Sequence, residues 1–334
     1  MPAGIREVAA RAGVAVGTVS RVLNDAPGVS APTRERVHRV IAELEYRPNL
    51  RARALSTGRT HTVSAIVPFF THPSSVARLR GVVEGLEASG YDLVLFNVGA
   101  ARLGRDLAET HAAERSDGVL VVSLRPSDAE VRRLRRPGVP VVLVDAEHRA
   151  LPRVVIDDVA GGRLAAEHLL ALGHRRIAFV GDLPDRTGRF VSSQRRESGY
   201  RLALAAAGAP PVPELVRLGP HDARHARRDA AALLALEDPP TAIVAASDTQ
   251  ALGALDAAAE RGLAAGAPGG LSVVGFDDLE TAAHVGLTTV RQPLRESGRL
   301  GAELLLAALS GEPAAEQEHR LGLELVVRRT TSEP

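Results

Sequence analysis

Residues 12–24 read AGVAVGTVSRVLN, a stretch that asks for a helix its own composition resists. Thr18, Val19 and Val22 are poor helix formers and Gly17 is worse, so propensity alone does not account for two helical turns. The flanking pattern does. Upstream, Ile5, Val8, Ala9 and Ala12 recur at helical intervals, Gly13 permits a sharp turn, and Val19, Val22 and Leu23 then supply the buried face of a second short helix. A third helix follows, with Ser30 or Ala31 as its cap and Pro32 in its first turn. Val37, Ile41 and Leu44 line one side before Tyr46 and Pro48 end it. Three such helices predict an all-α unit with a helix-turn-helix at its front, whose second helix lies in the DNA major groove. Tertiary packing holds that helix, and small outward residues let its backbone approach phosphates and base edges.

Charge agrees with this reading. Ten arginines face five carboxylates in residues 1–60, a net +5, which leaves −4 for the rest of a chain whose total is +1. The sequence has no lysine, so arginine supplies every permanent cation. Such asymmetry suits a nucleic-acid-facing head on a near-neutral body. A chain of 334 residues predicts more than one domain. The absence of cysteine excludes disulfides, a thiol nucleophile and zinc–thiolate sites, and fits a reducing cytoplasm. The opening MPAGIREVAARAG carries charge where a signal peptide needs an apolar core, and no later run is long and apolar enough to span a bilayer. The expectation is a soluble cytoplasmic protein with no membrane partner.

The stretch IREVAARAGVAVGTVSRVLNDAPGVSAPTRERVHRVIAELEYRPNLRARALSTGRT, residues 5–60, resembles the head and hinge of the lactose-repressor (LacI/GalR) family of bacterial transcription regulators. The TVSRVLN core, the VS..TR.RV third helix and the YRPN..AR.L hinge match in order and spacing. The resemblance implies that Val16, Gly17 and Arg21 read bases, while Thr18, Ser20 and Asn24 approach phosphates. Residues 49–60 would be a hinge that folds into a helix only on the operator. There Asn49, Arg51 and Arg53 lie on the DNA side, and Leu55 is a wedge driven between base pairs in the minor groove. One departure concerns Ala15, where the family usually has serine, so the side-chain cap of the recognition helix is missing. A phosphate can meet its N-terminal amides instead.

From residue 61 onward strand-like and helix-like segments alternate. The strands read TVSAIVP, YDLVLFNV, GVLVVSL, PVVLVDA, RRIAFVG, LVRLG, TAIVAAS and LSVVGFDD, with helices such as residues 157–172 and 248–261 between them. The rhythm implies parallel sheets covered on both faces, and the length suits two sheets better than one. VIDDVAGGRLAAEHLLALGHRRIAFVG, PTAIVAASDTQALGAL, LSVVGFDD and LTTVRQP resemble the family's effector-binding core, a pair of periplasmic-binding-protein-like lobes. The expected fold is therefore multi-domain: an all-α helix-turn-helix head and an α/β core of two doubly wound parallel-sheet lobes. The expected boundaries are 1–48 for the head, 49–60 for the hinge and 61–330 for the core. Within the core, lobe one takes 61–158 and 291–318, and lobe two takes 159–290 and 319–330.

Ligands in open α/β sheets bind beyond the carboxyl ends of the strands, and residues there are unusually polar. Asp145, Ser247, Asp248 and Asp277 each follow a strand. The resemblance places Asp145, Arg196, Ser247 and Asp277 in the cleft, with His72, Ser74, Ser75 and His221 as further wall residues. Some of these positions can equally cap helices, as Asp157 and Asp248 do in this reading. Carboxylates accept hydroxyl protons and arginine donates in a fixed fork, so the set suits a sugar-like polyol. Many relatives have an aromatic pair after the first strand, where this chain has Ser74 and Ser75, which argues against stacking on a flat base. GDLPDRTGRFVSSQRRESGY, residues 181–200, is longer than the usual family version, leaving the alignment of Phe190, Ser192 and Ser193 open.

Enzymatic readings lack local support: there is no GxxxxGK[ST], no GxGxxG and no GxSxG. Gly161-Gly162 reads as a packing feature of a helix, and His221 with His225 as a helix face rather than a metal site. No catalytic residue, metal or cofactor is expected. The expected function is a dimeric, sequence-specific regulator, a repressor released from a near-palindromic DNA operator by a small, sugar-like effector. The alternatives are a corepressor-dependent regulator and a periplasmic-type solute-binding protein; the latter has no use for a DNA-reading head.

Overall fold

A computed structural model describes residues 4–46, 58–98, 106–135, 138–185, 187–312 and 317–334. The chain forms two compact units, Met1–Thr60 and His61–Pro334.

The first unit is the three-helix bundle: α1 (Ile5–Ala12), α2 (Val16–Leu23) and α3 (Ala31–Glu43). Gly13 sits left-handed at φ 61° and closes the turn between α1 and α2. Val8, Ala9, Ala12, Val19, Val22, Val37 and Val40 form the core. The propensity deficit of α2 against an alanine helix is roughly 3 kcal/mol. Burial of Val19 and Val22 returns about 3–6 kcal/mol, so packing offsets it. Ser30 is the N-cap of α3, but its hydroxyl pairs with that of Thr33 at 2.9 Å and makes no bond to the helix backbone. Arg34 instead ties the α2–α3 loop, donating to Asp25 at 2.5 Å and to the Ala26 carbonyl at 3.1 Å.

In the second unit the strands are β1 (Thr62–Val67), β2 (Asp92–Asn97), β3 (Gly118–Val122), β4 (Val141–Val144), β5 (Arg153–Val155), β6 (Ile177–Asp182), β7 (Val216–Gly219), β8 (Ala242–Ala245), β9 (Ser272–Asp277), β10 (Thr288–Arg291), β11 (Glu318–Arg320) and β12 (Glu324–Val326). The helices are α4 (Pro73–Leu86), α5 (Ala112–Arg115), α6 (Asp128–Leu134), α7 (Asp158–Ala171), α8 (Ser192–Ala206), α9 (Ala223–Leu233), α10 (Asp248–Glu260), α11 (Glu280–Val285) and α12 (Leu294–Leu309).

Among the described residues the strands make two six-stranded sheets, ordered β11-β5-β4-β3-β1-β2 and β12-β10-β9-β8-β6-β7. Their central strands are fully buried runs such as GVLVV and AIVA, as sheets with two covered faces require. Pairing is parallel except at β12, which runs antiparallel to β10. The chain passes between sheets three times: after β5, after β10 and between β11 and β12. The last passage follows Arg320, two residues beyond the expected junction at 318. Among the described residues no helix is long and apolar enough to cross a membrane.

Candidate functional site

The head presents one face of α2. Val16 is 41% exposed, Gly17, Arg21 and Asn24 are exposed, and Thr18 and Ser20 are half-buried. Asn24 Nδ2 reaches Ser20 Oγ at 3.5 Å. Ala15 is the N-cap and supplies no side-chain bond, which leaves first-turn amides of α2 open to an anion. Asn49, Arg51, Arg53 and Leu55 lie outside the described residues.

In the core, both sheets reverse their strand order beside the first strand of the lobe, at β1/β3 and β6/β8. Such switch points open a crevice beyond the strand ends. A cavity of about 350 Å³ lies there, and His72, Ser74, Ser75, Asp145, Arg196, His221, Ser247 and Asp277 all line it. Phe69, Ser123, Asp145 and Asp277, each at a strand end, have positive φ of 42°, 51°, 54° and 123°. Backbone this uncommon persists only where the surroundings over-determine it.

A chain of buried polar contacts supplies that restraint. Arg78 on α4 donates through Nη2 to Asp145 at 2.8 Å and to Gln292 Oε1 at 2.9 Å. Gln292 donates onward to Asp277 at 2.5 Å. Arg196 on α8 donates to Asp158 at 2.8 Å and to the Ala246 carbonyl at 2.7 Å, stands 3.8 Å from Asp277, and lies 3.6 Å above the Phe276 ring. Burial pushes Asp158 up to about 6 even though Arg196 opposes it. Burial likewise raises Asp277 against the pull of Arg196 and Gln292. Removing either partner of such a buried pair costs about 3–5 kcal/mol, because the other charge is stranded.

The two arginines are placed by the same device in each lobe. A Cβ at Gly298 of α12 would stand 1.9 Å from the Arg78 carbonyl, and one at Gly162 of α7 would stand 2.0 Å from the Arg196 carbonyl. Only glycine allows each helix pair to close, which gives the Gly161-Gly162 packing feature its reason.

The walls correct one expectation. Stacking surfaces are present: Phe69 stacks on His72 at 5.0 Å, His72 on His221 at 5.0 Å, and Phe69 meets Phe190 at 5.9 Å. Ser74 and Ser75 sit in the first turn of α4 and displace nothing, since the aromatic residue arrives with Phe69 directly after β1. His221 precedes α9, whose N-cap is Asp222, so it does not share a helix face with His225. It bonds Asp182 at 2.9 Å. Burial pulls the His221 imidazole down, but Asp182 outweighs it and holds the ring above its ordinary value. Burial and then His221 lower His72. Ser247 is the N-cap of α10 and is buried, so its hydroxyl is partly committed to Gln250. Asp248 is held by the Leu279 amide and the Thr289 hydroxyl and does not line the cavity. Among the described residues no cluster of three potential metal ligands occurs.

Sequence pattern alone does not single out Phe69, Arg78 or Gln292, and it leaves the place of Phe190 open. The doublet FF after the first strand and the QP after TTVR were the available signals.

Comparison with known proteins follows the two units. Residues 4–49 match the profile of bacterial regulatory proteins, lacI family, and residues 166–331 match that of a periplasmic binding protein-like domain. The HTH-type transcriptional regulator DegA of Bacillus subtilis is 32% identical over 99% of this chain and 99% of its own length. The HTH-type transcriptional regulator CelR of Thermobifida fusca is 37% identical over 97% and 96%. Among solved structures, the lac repressor dimer bound to operator and the anti-inducer ONPF superposes with TM-score 0.83 at 29% identity, covering 99% of this chain and all of that one. The complex of the regulator CelR with cellobiose gives TM-score 0.70 at 34% identity over 98% and 99%.

Proposed function

The chain belongs to the lacI family of bacterial regulatory proteins and is a DNA-binding transcriptional regulator, not an enzyme; on that premise we propose that it is a cytoplasmic, homodimeric repressor released from its operator by a sugar-like effector. In this reading residues 1–48 bind DNA, 49–60 form the hinge and 61–330 sense the effector. The division of the chain after Thr60 supports that arrangement. Val16, Gly17 and Arg21 read bases, Thr18, Ser20 and Asn24 contact phosphates, and Asn49, Arg51, Arg53 and Leu55 act at the hinge. His72, Ser74, Ser75, Asp145, Arg196, His221, Ser247 and Asp277 hold the effector.

The observation that carries the proposal is the Arg78–Gln292–Asp277 chain, whose members come from a helix of the first lobe, from the segment after β10 that joins the lobes and from β9 of the second lobe. A molecule bonded to it touches both lobes at once and so binds with different affinity when their separation changes. That difference is what shifts a two-state equilibrium. Cationic and acidic side chains nearly balance around the cavity, which suits a neutral polyol better than a phosphate ester, and the aromatic faces suit the apolar side of a sugar ring. Relatives with cellobiose or ribose bound support the same class.

The test is an operator titration with and without a panel of mono- and disaccharides. A coupling of about 1–3 kcal/mol appears as a 5- to 150-fold loss of operator affinity. Arg196→Ala and Asp277→Asn should abolish that loss while leaving operator binding of the free protein intact. Variants that respond like the parent would place the effector elsewhere.

A further inference from the structure

Besides its charged floor, the cleft has a second set of contacts that join the lobes directly. Asp185, beyond β6 in the second lobe, knots a turn by accepting from the Thr187 amide and hydroxyl and from the amides of Arg189 and Phe190. The knot aims two side chains at the first lobe. Phe190 packs against the core cluster that contains Leu124, Val131 and Leu134, and meets Phe69. Arg189 Nη2 donates to Glu130 of α6 at 2.6 Å, with the two side chains only 11% and 3% exposed. The Arg189 carbonyl accepts from the Arg125 amide at 3.2 Å.

The receiving surface is complete without the turn. Glu130 closes the capping box of α6, accepting from the Ser127 amide and hydroxyl at 2.8 Å each, and it also accepts from the Leu107 amide at 2.8 Å. A carboxylate held by three donors of its own lobe presents a fixed, dry acceptor to the incoming guanidinium. Burial keeps that pair out of reach of salt screening. Outside it, Arg195 and Glu147 form a second inter-lobe pair at 2.5–2.7 Å, about a third exposed and weaker for that reason.

We propose that the turn bearing Arg189 and Phe190 is a latch that fastens the second lobe to a preformed socket on the first and thereby sets the resting separation of the lobes. The charged floor recognises what is bound, and the latch sets how far the cleft opens before anything enters. Its use in regulation rests on the effector reading above, but lobe separation is measured with no effector present, so the two can fail independently.

The experiment uses the full chain, whose lack of cysteine leaves two introduced thiols as the only ones. Arg149, two residues after the cleft-lining Glu147 of the first lobe, and Arg224, in the first turn of α9 just after the cleft-lining His221 of the second, are exposed. Spin labels on Arg149→Cys and Arg224→Cys, in labelled chains diluted with unlabelled parent, report the distance between the two positions by electron double resonance. Arg189→Ala and Phe190→Ala should each shift the distribution to longer distances and broaden it, and Arg189→Lys should restore part of the short population. Both positions lie in the loop between β6 and α8, outside helix and strand, and circular dichroism verifies the fold. A folded Arg189→Ala, Phe190→Ala double variant with the parent distribution overturns the latch.

Discussion

Adding one methyl group at Gly162 tests how Arg196 is held. The new Cβ would lie 2.0 Å from the Arg196 carbonyl oxygen, 2.6 Å from its carbon and 2.7 Å from its Cα. Close C···O contacts in proteins settle near 3.3–3.6 Å, so α8 must retreat by more than about 1 Å. Overpacking of this kind costs about 1–3 kcal/mol. At about 2–4 °C per kcal/mol for a body of this size, Gly162→Ala should lower Tm by roughly 2–12 °C in a circular dichroism melt. The retreat also carries the Arg196 guanidinium off Asp158 and the Ala246 carbonyl, now at 2.8 and 2.7 Å, beyond hydrogen-bond range. Effector response should therefore fall with stability. Gly17→Ala is the control: its Cβ meets nothing within 4 Å, and a helix gains up to about 1 kcal/mol from the exchange. A Gly162→Ala protein that melts within about 1 °C of the parent and keeps its response would refute the close-packing account.

Two further outcomes follow from the same contacts. Gly17→Gln puts a bidentate hydrogen-bonding side chain on the exposed face of α2, so selection from random duplexes should return a changed half-site while non-specific binding stays nearly constant. His174 is buried, bonded to Thr241 and to the Ser332 carbonyl of the C-terminal segment, and burial lowers its pKa although Ser332 opposes this. The unfolded chain then binds the extra proton first, so stability is lost as pH falls below about 6.5. His174→Gln should start from a lower Tm at pH 8 and show a shallower decline toward pH 5.5.

The parts of the molecule legible in the sequence are those governed by local periodicity. The three head helices could be read because Val8 and Ala12, Val19 and Val22, and Val37 and Ile41 each recur at helical spacing within one helix. The long buried strands could be read because each is a continuous apolar run, and Asp145, Ser247 and Asp277 could be read because each stands at or just past the carboxyl end of one. β5, β11 and β12 are three residues long and carry no period to detect. Ser30 looked like a cap, but its hydroxyl found Thr33 instead. Phe69 and Phe190 could not be paired in advance, since 121 positions separate them and only the approach of two lobes brings them to 5.9 Å. Arg78 was hidden for a different reason: inside a helical stretch a buried arginine looks like any solvated one until its partners arrive from β4 and β10.

The threefold passage of the chain between sheets has a consequence for how the protein is born. The first lobe takes β1–β5 from its early residues but needs α12 and β11, which are made only after the whole of β6–β10. Neither lobe can be completed until β11 and β12 have been made. The head has no such debt, because its core lies wholly within α1–α3. At about 5–20 residues per second, the roughly 270 residues behind it take about 14–55 s to make. For that interval each nascent chain exposes a finished DNA-binding head with no finished sensor attached. Such a head carries no cleft, so control through the cleft begins at the moment β11 and β12 close both sheets.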